Sequence, residues 1–145
     1  MAAKENEPAS LKERQEHAEL YTKIFSRTYL NFELQSFLQQ DEPELSDKAK
    51  QQFQTIGYKG EFPLNFSKEK RASLFAEEEF FSYTQTGRRI VSYALKENGM
   101  NPGRFEQIEN AINDAYKDVK SKRGEHPLLE ETYLYSLATL NVFKP

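Results

Sequence analysis

The sequence predicts an all-α fold, an irregular bundle of about five to six helices with an extended connector near residues 57–66. Two observations carry that expectation. Apolar residues recur at spacings of three and four through the C-terminal half, where Phe80 to Asn98, Pro102 to Arg123 and Pro127 to Asn141 read as consecutive helices. Gly99, Pro102, Gly124 and Pro127 punctuate these segments, while Gly87 lies well inside the first of them.

Residues 1–9 read as a solvated tail, and Ser10 with Glu13 has the spacing of a capping box, so a helix is expected to start there. Its apolar stripe runs Leu11, Ala18, Tyr21, Phe25 and Tyr29, widened by Leu20 and Ile24, and persists through Leu34, Phe37 and Leu38. Asp41-Glu42-Pro43 breaks it. Ser46 is placed to cap a shorter helix carrying Ala49, Phe53 and Ile56, and Gly57 to end it. These two helices form an N-terminal layer over 10–56, expected to pack as one unit with a C-terminal helical domain over 57–145. Between them, Tyr58 to Phe66 alternates loosely and contains Pro63, hence the connector, with room for a short strand.

Ser67 leads a short helix through Ala76, and a longer one is expected from about Glu78, its start favoured by the negative run Glu77-Glu78-Glu79. Gly99 is a left-handed cap for its end, and Gly87 inside it costs about 1 kcal/mol relative to Ala unless another helix packs closely there. Asn101-Pro102 is a cap followed by proline at the first helical position. Phe105, Ile108, Ile112, Ala115 and Val119 follow at spacings of three, four, three and four, and Lys117, Lys120, Lys122 and Arg123 crowd the last turns before Gly124. Pro127 opens the final helix, with His126 beside it as a cap or turn residue.

Composition excludes several chemistries. With no Cys among 145 residues, disulfides, zinc-thiolate sites, cluster ligation and thiol catalysis are ruled out. No apolar run has the length of a signal peptide or a membrane span, so a cytoplasmic protein without membrane insertion is expected. The net charge is −3 and both signs are mixed along the chain, which speaks against a general nucleic-acid binder. The 11 Phe and 8 Tyr nevertheless supply enough bulk for a core.

The stretch from Tyr58 to Thr132 carries a pattern of Tyr58-x-Gly60, Leu64, Phe66-Ser67, Ala72, Leu74, Phe80-Phe81, Gln85-Thr86, Arg89-Ile90, Ala94-Leu95, Gly124, Pro127 and Thr132. In this it resembles a family of small, functionally uncharacterised bacterial helical proteins, some labelled as a hydrogenase component. That resemblance implies a helical fold without an assigned activity. A redox role would lack any Cys to hold a cluster.

Neither His17 nor His126 has an acidic or histidine partner at metal spacing; His17 is expected to be solvated, and no cofactor motif stands out. Asp114 and Asp118 sit four apart, but Gly is misplaced for a calcium loop. Arg89 is expected to pair within the fold, for example with an acid of a neighbouring helix, and Arg88 to stay exposed. The reading that follows is a non-enzymatic protein acting by protein–protein contact or self-association, with the long N-terminal helix as the docking element. Its candidate partner-binding residues are Arg88, Lys117, Lys120, Lys122, Arg123, Phe32 and Phe37. The alternative is DNA binding by a helix-turn-helix-like hairpin at 94–110, although Arg104 to Asn110 is more acidic than basic.

Overall fold

In the computed structural model, which describes residues 2–39, 47–63, 66–99 and 104–144, the helical periodicities become six α-helices and no strand among those residues. They are α1 (Ala2–Phe37), α2 (Asp47–Thr55), α3 (Lys68–Ala72), α4 (Tyr83–Asn98), α5 (Phe105–Arg123) and α6 (Pro127–Val142). A 3-10 turn, Ser73–Phe75, extends α3. The expected break at Asp41 to Pro43, the Ser46 cap and the Asn101-Pro102 cap lie outside the described residues.

Local chemistry sets most boundaries. Ser67 accepts the amide of Lys70 to cap α3, and His126 accepts that of Leu129 to cap α6 with Pro127 at the first helical position. Gly99 closes α4 at φ 63, a left-handed geometry that a side chain would strain. Two expectations are corrected. Helix α1 runs from Ala2, so Ser10 lies inside it and does not start it; Ala2, Ala3, Lys4, Glu5 and Glu7 favour the helix. Helix α4 begins at Tyr83, not at Glu78, because Ser82 takes the capping role and accepts the Gln85 amide. Upstream of it Glu78 adopts φ 68, and the resulting turn sends Phe80 and Phe81 inward. Within the connector the Tyr58 hydroxyl donates to the Glu61 carbonyl at 2.6 Å, and Tyr58 and Phe62 pack inward.

Helix α1 organises the bundle. It packs most extensively on α5 and next on α4, while α6 closes across α4 and α5. The line it buries is Leu20, Ile24, Thr28 and Phe32, so that Leu20 and Ile24, expected only to widen the stripe, lie at its centre while Leu11 and Ala18 are exposed. Tyr21, Phe25 and Tyr29 form a half-buried ladder beside that line, with ring centroids 5.8 and 5.9 Å apart. The Tyr21 hydroxyl ties the ladder to α5 by donating to Asp114 at 2.5 Å, a bond that pushes the phenol up to about 12.

Two cores result. The larger joins Leu20, Ile24 and Phe32 to Ile90, Ala94, Ile108, Ile112, Ala115, Leu129 and Leu140. The smaller gathers Leu34, Leu38, Phe53 and Ile56 around a fully buried Phe81, whose ring meets Phe53 at 5.7 Å and Phe80 at 4.9 Å. Arg89 stands between them. Its guanidinium donates to the Phe80 carbonyl at 2.6 Å, Asn31 Oδ1 at 3.2 Å and Thr86 Oγ1 at 3.2 Å, and lies 3.7 Å from the centre of the Phe80 ring. Arg89 thus pairs within the fold as expected, although its partners are carbonyl, amide and hydroxyl oxygens and not the acid offered as an example, and burial pushes it down to about 9, which leaves it charged at neutral pH.

Gly87 faces α6. A Cβ there would lie 2.6 Å from Cδ2 of Tyr135 and 3.3 Å from Ser136 Oγ. The better helix propensity of Ala is worth about 1 kcal/mol, whereas overpacking costs about 1–3 kcal/mol, so the clash wins. Gly87→Ala is therefore expected to lower the urea midpoint of unfolding; a raised midpoint would show that α6 yields.

Candidate functional site

The residues nominated from sequence separate in space. Phe32 is fully buried, its ring 6.2 Å from Tyr116, so it serves the core and offers nothing to a partner. Arg88 and Lys117 are exposed on α4 and α5, and Lys120 lies 3.6 Å from Glu125. Phe37, Lys122 and Arg123, by contrast, come together at one groove.

That groove, of about 590 Å³, runs along α1 between α2 and the end of α5. One face of α1 supplies Phe25, Tyr29, Leu30, Glu33, Leu34 and Phe37, residues that recur every three or four positions and so stack on one side. Helix α2 adds Lys48, Ala49 and Gln52, and α5 adds Lys122 and Arg123. Phe25 to Phe37 spans roughly 18 Å at 1.5 Å per residue, a length suited to an extended or helical ligand segment.

Charge in the groove is organised by Glu33, whose side chain is 10% exposed. Its Oε1 accepts from Arg123 Nε at 2.8 Å and from Arg123 Nη2, with Lys122 Nζ at 3.4 Å. Arg123, a candidate partner-binding residue, is thus held within the fold, its guanidinium 5.5 Å from the Phe37 ring centre. Glu33 Oε2 is buried and has no hydrogen-bond partner among the described residues. Lys48 and Lys122 remain as exposed cations on the rim. Sequence reasoning missed Glu33, although the spacing 25, 29, 33, 37 puts it on the aromatic face; a charged residue interrupts an apolar stripe when only hydropathy is followed.

The histidines are not brought together. His17 Nδ1 lies 3.3 Å from Gln107 Nε2 at the start of α5, half-buried where a solvated residue was expected. His126 meets Ser36 at the far end of α1, nineteen residues and roughly 28 Å from His17. The Ser36 Oγ to His126 Nε2 distance of 2.8 Å has the reach of a nucleophile–base pair, but the tautomer is wrong for one. Because Nδ1 accepts the Leu129 amide at 3.2 Å, the neutral ring carries its proton on Nε2 and donates to Ser36. Among the described residues no group of three or more His, Cys, Asp or Glu is placed to hold a metal ion.

The 94–110 segment includes residues 100–103, which lie outside the described residues. Helices α4 and α5 pack chiefly on α1 and α6, not on each other, and the exposed positions at the start of α5 are Glu106 and Asn110. No helix among the described residues is long and apolar enough to cross a membrane. In comparisons with known proteins, no family model, curated protein or solved structure matches this chain.

Burial holds His126 below its ordinary value of 6.5. The unfolded chain therefore takes up a proton at higher pH than the folded one, so this contribution to stability is complete above about 6.5 and is lost as pH falls through that value. Asn caps a helix without titrating. His126→Asn is expected to flatten the fall in urea midpoint between pH 7.5 and 5.5; parallel falls in both proteins would place the acid sensitivity elsewhere.

Proposed function

We propose that this chain is a non-enzymatic interaction module that receives an amphipathic segment of another protein in the groove between α1, α2 and the end of α5. The observation that carries this reading is the convergence there of an aromatic face, Phe25, Tyr29 and Phe37, with two exposed cations, Lys48 and Lys122, drawn from three helices. Apolar side chains at helical spacing fill such a groove and supply affinity. Acidic residues flanking them meet Lys48 and Lys122, which sets register and speeds association. The docking element is then one face of α1 framed by its neighbours, not a free helix.

The pair Lys48→Glu and Lys122→Gln tests it, since both side chains are exposed and the fold should survive. In affinity purification from the source cells with quantitative mass spectrometry, the double variant is expected to retain its principal partner at least about tenfold less than the parent, a difference of ~1.4 kcal/mol. An unchanged partner profile, with unchanged thermal unfolding, would sink the assignment of the groove.

A further inference from the structure

Helix α6 carries no charged residue from Thr132 to Phe143. One side of it is inside, with Leu129, Thr132, Ser136 and Leu140 buried. On the opposite side Glu131, Leu134, Ala138 and Val142 are exposed, at spacings of three, four and four, the repeat of a helix–helix seam. Leu134 is 53% and Val142 78% exposed, with Phe143 at 45%. Tyr83, exposed at the start of α4, sits edge-on to Tyr135 of α6 and extends the patch. Of the large apolar side chains exposed among the described residues, Leu11 alone lies away from this surface. A contiguous exposed apolar patch of this kind marks a contact surface.

We infer that the outward face of α6 is a self-association surface, on which a second copy of this chain packs its own α6 antiparallel about a twofold axis at Ala138. The charges at the two ends choose the occupant and its direction. Antiparallel pairing sets Leu134 against Val142 and brings Glu131 near Lys144 of the partner subunit, whereas parallel pairing would set acid on acid and base on base. Lys144 already holds Glu109 of its own chain, and an ammonium has donors for both. Opposed helix dipoles add to the preference. Ala138 is small, so the helices approach to about 8 Å and the two Ala138 Cα atoms come within the ~7 Å that a disulfide spans. The groove is lined by no residue of α6, so the two surfaces act independently.

The absence of cysteine makes the test clean. Sedimentation equilibrium of the full chain is expected to give a mass rising towards twice 17.0 kDa with concentration. Leu134→Lys, a change at an exposed position, weakens the association by at least about tenfold. On mild oxidation Ala138→Cys gives a cross-linked dimer readily, and Arg88→Cys, on the exposed side of α4, does not. A monomer at every concentration overturns the inference, as does a dimer indifferent to Leu134→Lys or equal cross-linking of both cysteine variants. Each of these readouts is independent of the groove and its partner.

Discussion

One turn of α1, Asn31 to Ser36, is buried on every side, and the bundle is arranged around satisfying it. Leaving a buried polar group without a partner costs about 1–3 kcal/mol, and this turn holds four polar side chains. Each bonds to a different element, although Glu33 Oε2 and Gln35 Oε1 keep no hydrogen-bond partner among the described residues. Asn31 accepts from Arg89 of α4, and Glu33 from Arg123 of α5. Gln35 donates to the Phe81 carbonyl at 3.0 Å, and Ser36 accepts from His126 at the head of α6. The apolar positions of the same turn, Phe32 and Leu34, belong one to each core. Apolar burial alone would allow α1 to slide or rotate against its neighbours. These directional bonds fix its register.

The groove inherits its shape from that arrangement. Arg123 is held against Phe37 by Glu33, and the cation thereby builds one wall while Lys122 is left on the rim. At the other end of the turn Arg71, itself buried, donates to the Leu38 carbonyl at 3.4 Å and to the Phe66 carbonyl at 3.1 Å, closing the last turn of α1 onto α3. The same chemistry that orders the interior therefore decides which charges reach solvent.

Local signals in the sequence were read well where one residue settles the matter. The Gly99 cap, the Ser67 cap, the His126-Pro127 helix start and the tight approach at Gly87 all depend on neighbours in sequence or on the lack of a Cβ. The start of α4 was misplaced because Glu77 to Glu79 and Ser82 are both plausible helix starts, and only the insertion of Phe81 among Phe53, Tyr58 and Phe75 decides between them. Phe32 was misjudged because apolar residues on more than one side of α1 looked like an excess to be shared with a partner, when a central helix buries them. The site was half legible: a basic helix end and Phe37 stood out, but the Glu33 to Arg123 pair spans 90 residues and leaves no trace in spacing.

That span has a further consequence in time. Tyr21 finds Asp114, Glu33 finds Arg123 and Ser36 finds His126 across separations of 93, 90 and 90 residues. At synthesis rates of about 5–20 residues per second, α1 is finished on the order of ten seconds before the helices that shelter it. Its aromatic face waits in the nascent chain, so the bundle assembles only when α5 and α6 have left the ribosome. A helical protein of this size would ordinarily close through near-neighbour contacts; this one is committed to late, long-range closure by the placing of its central helix first.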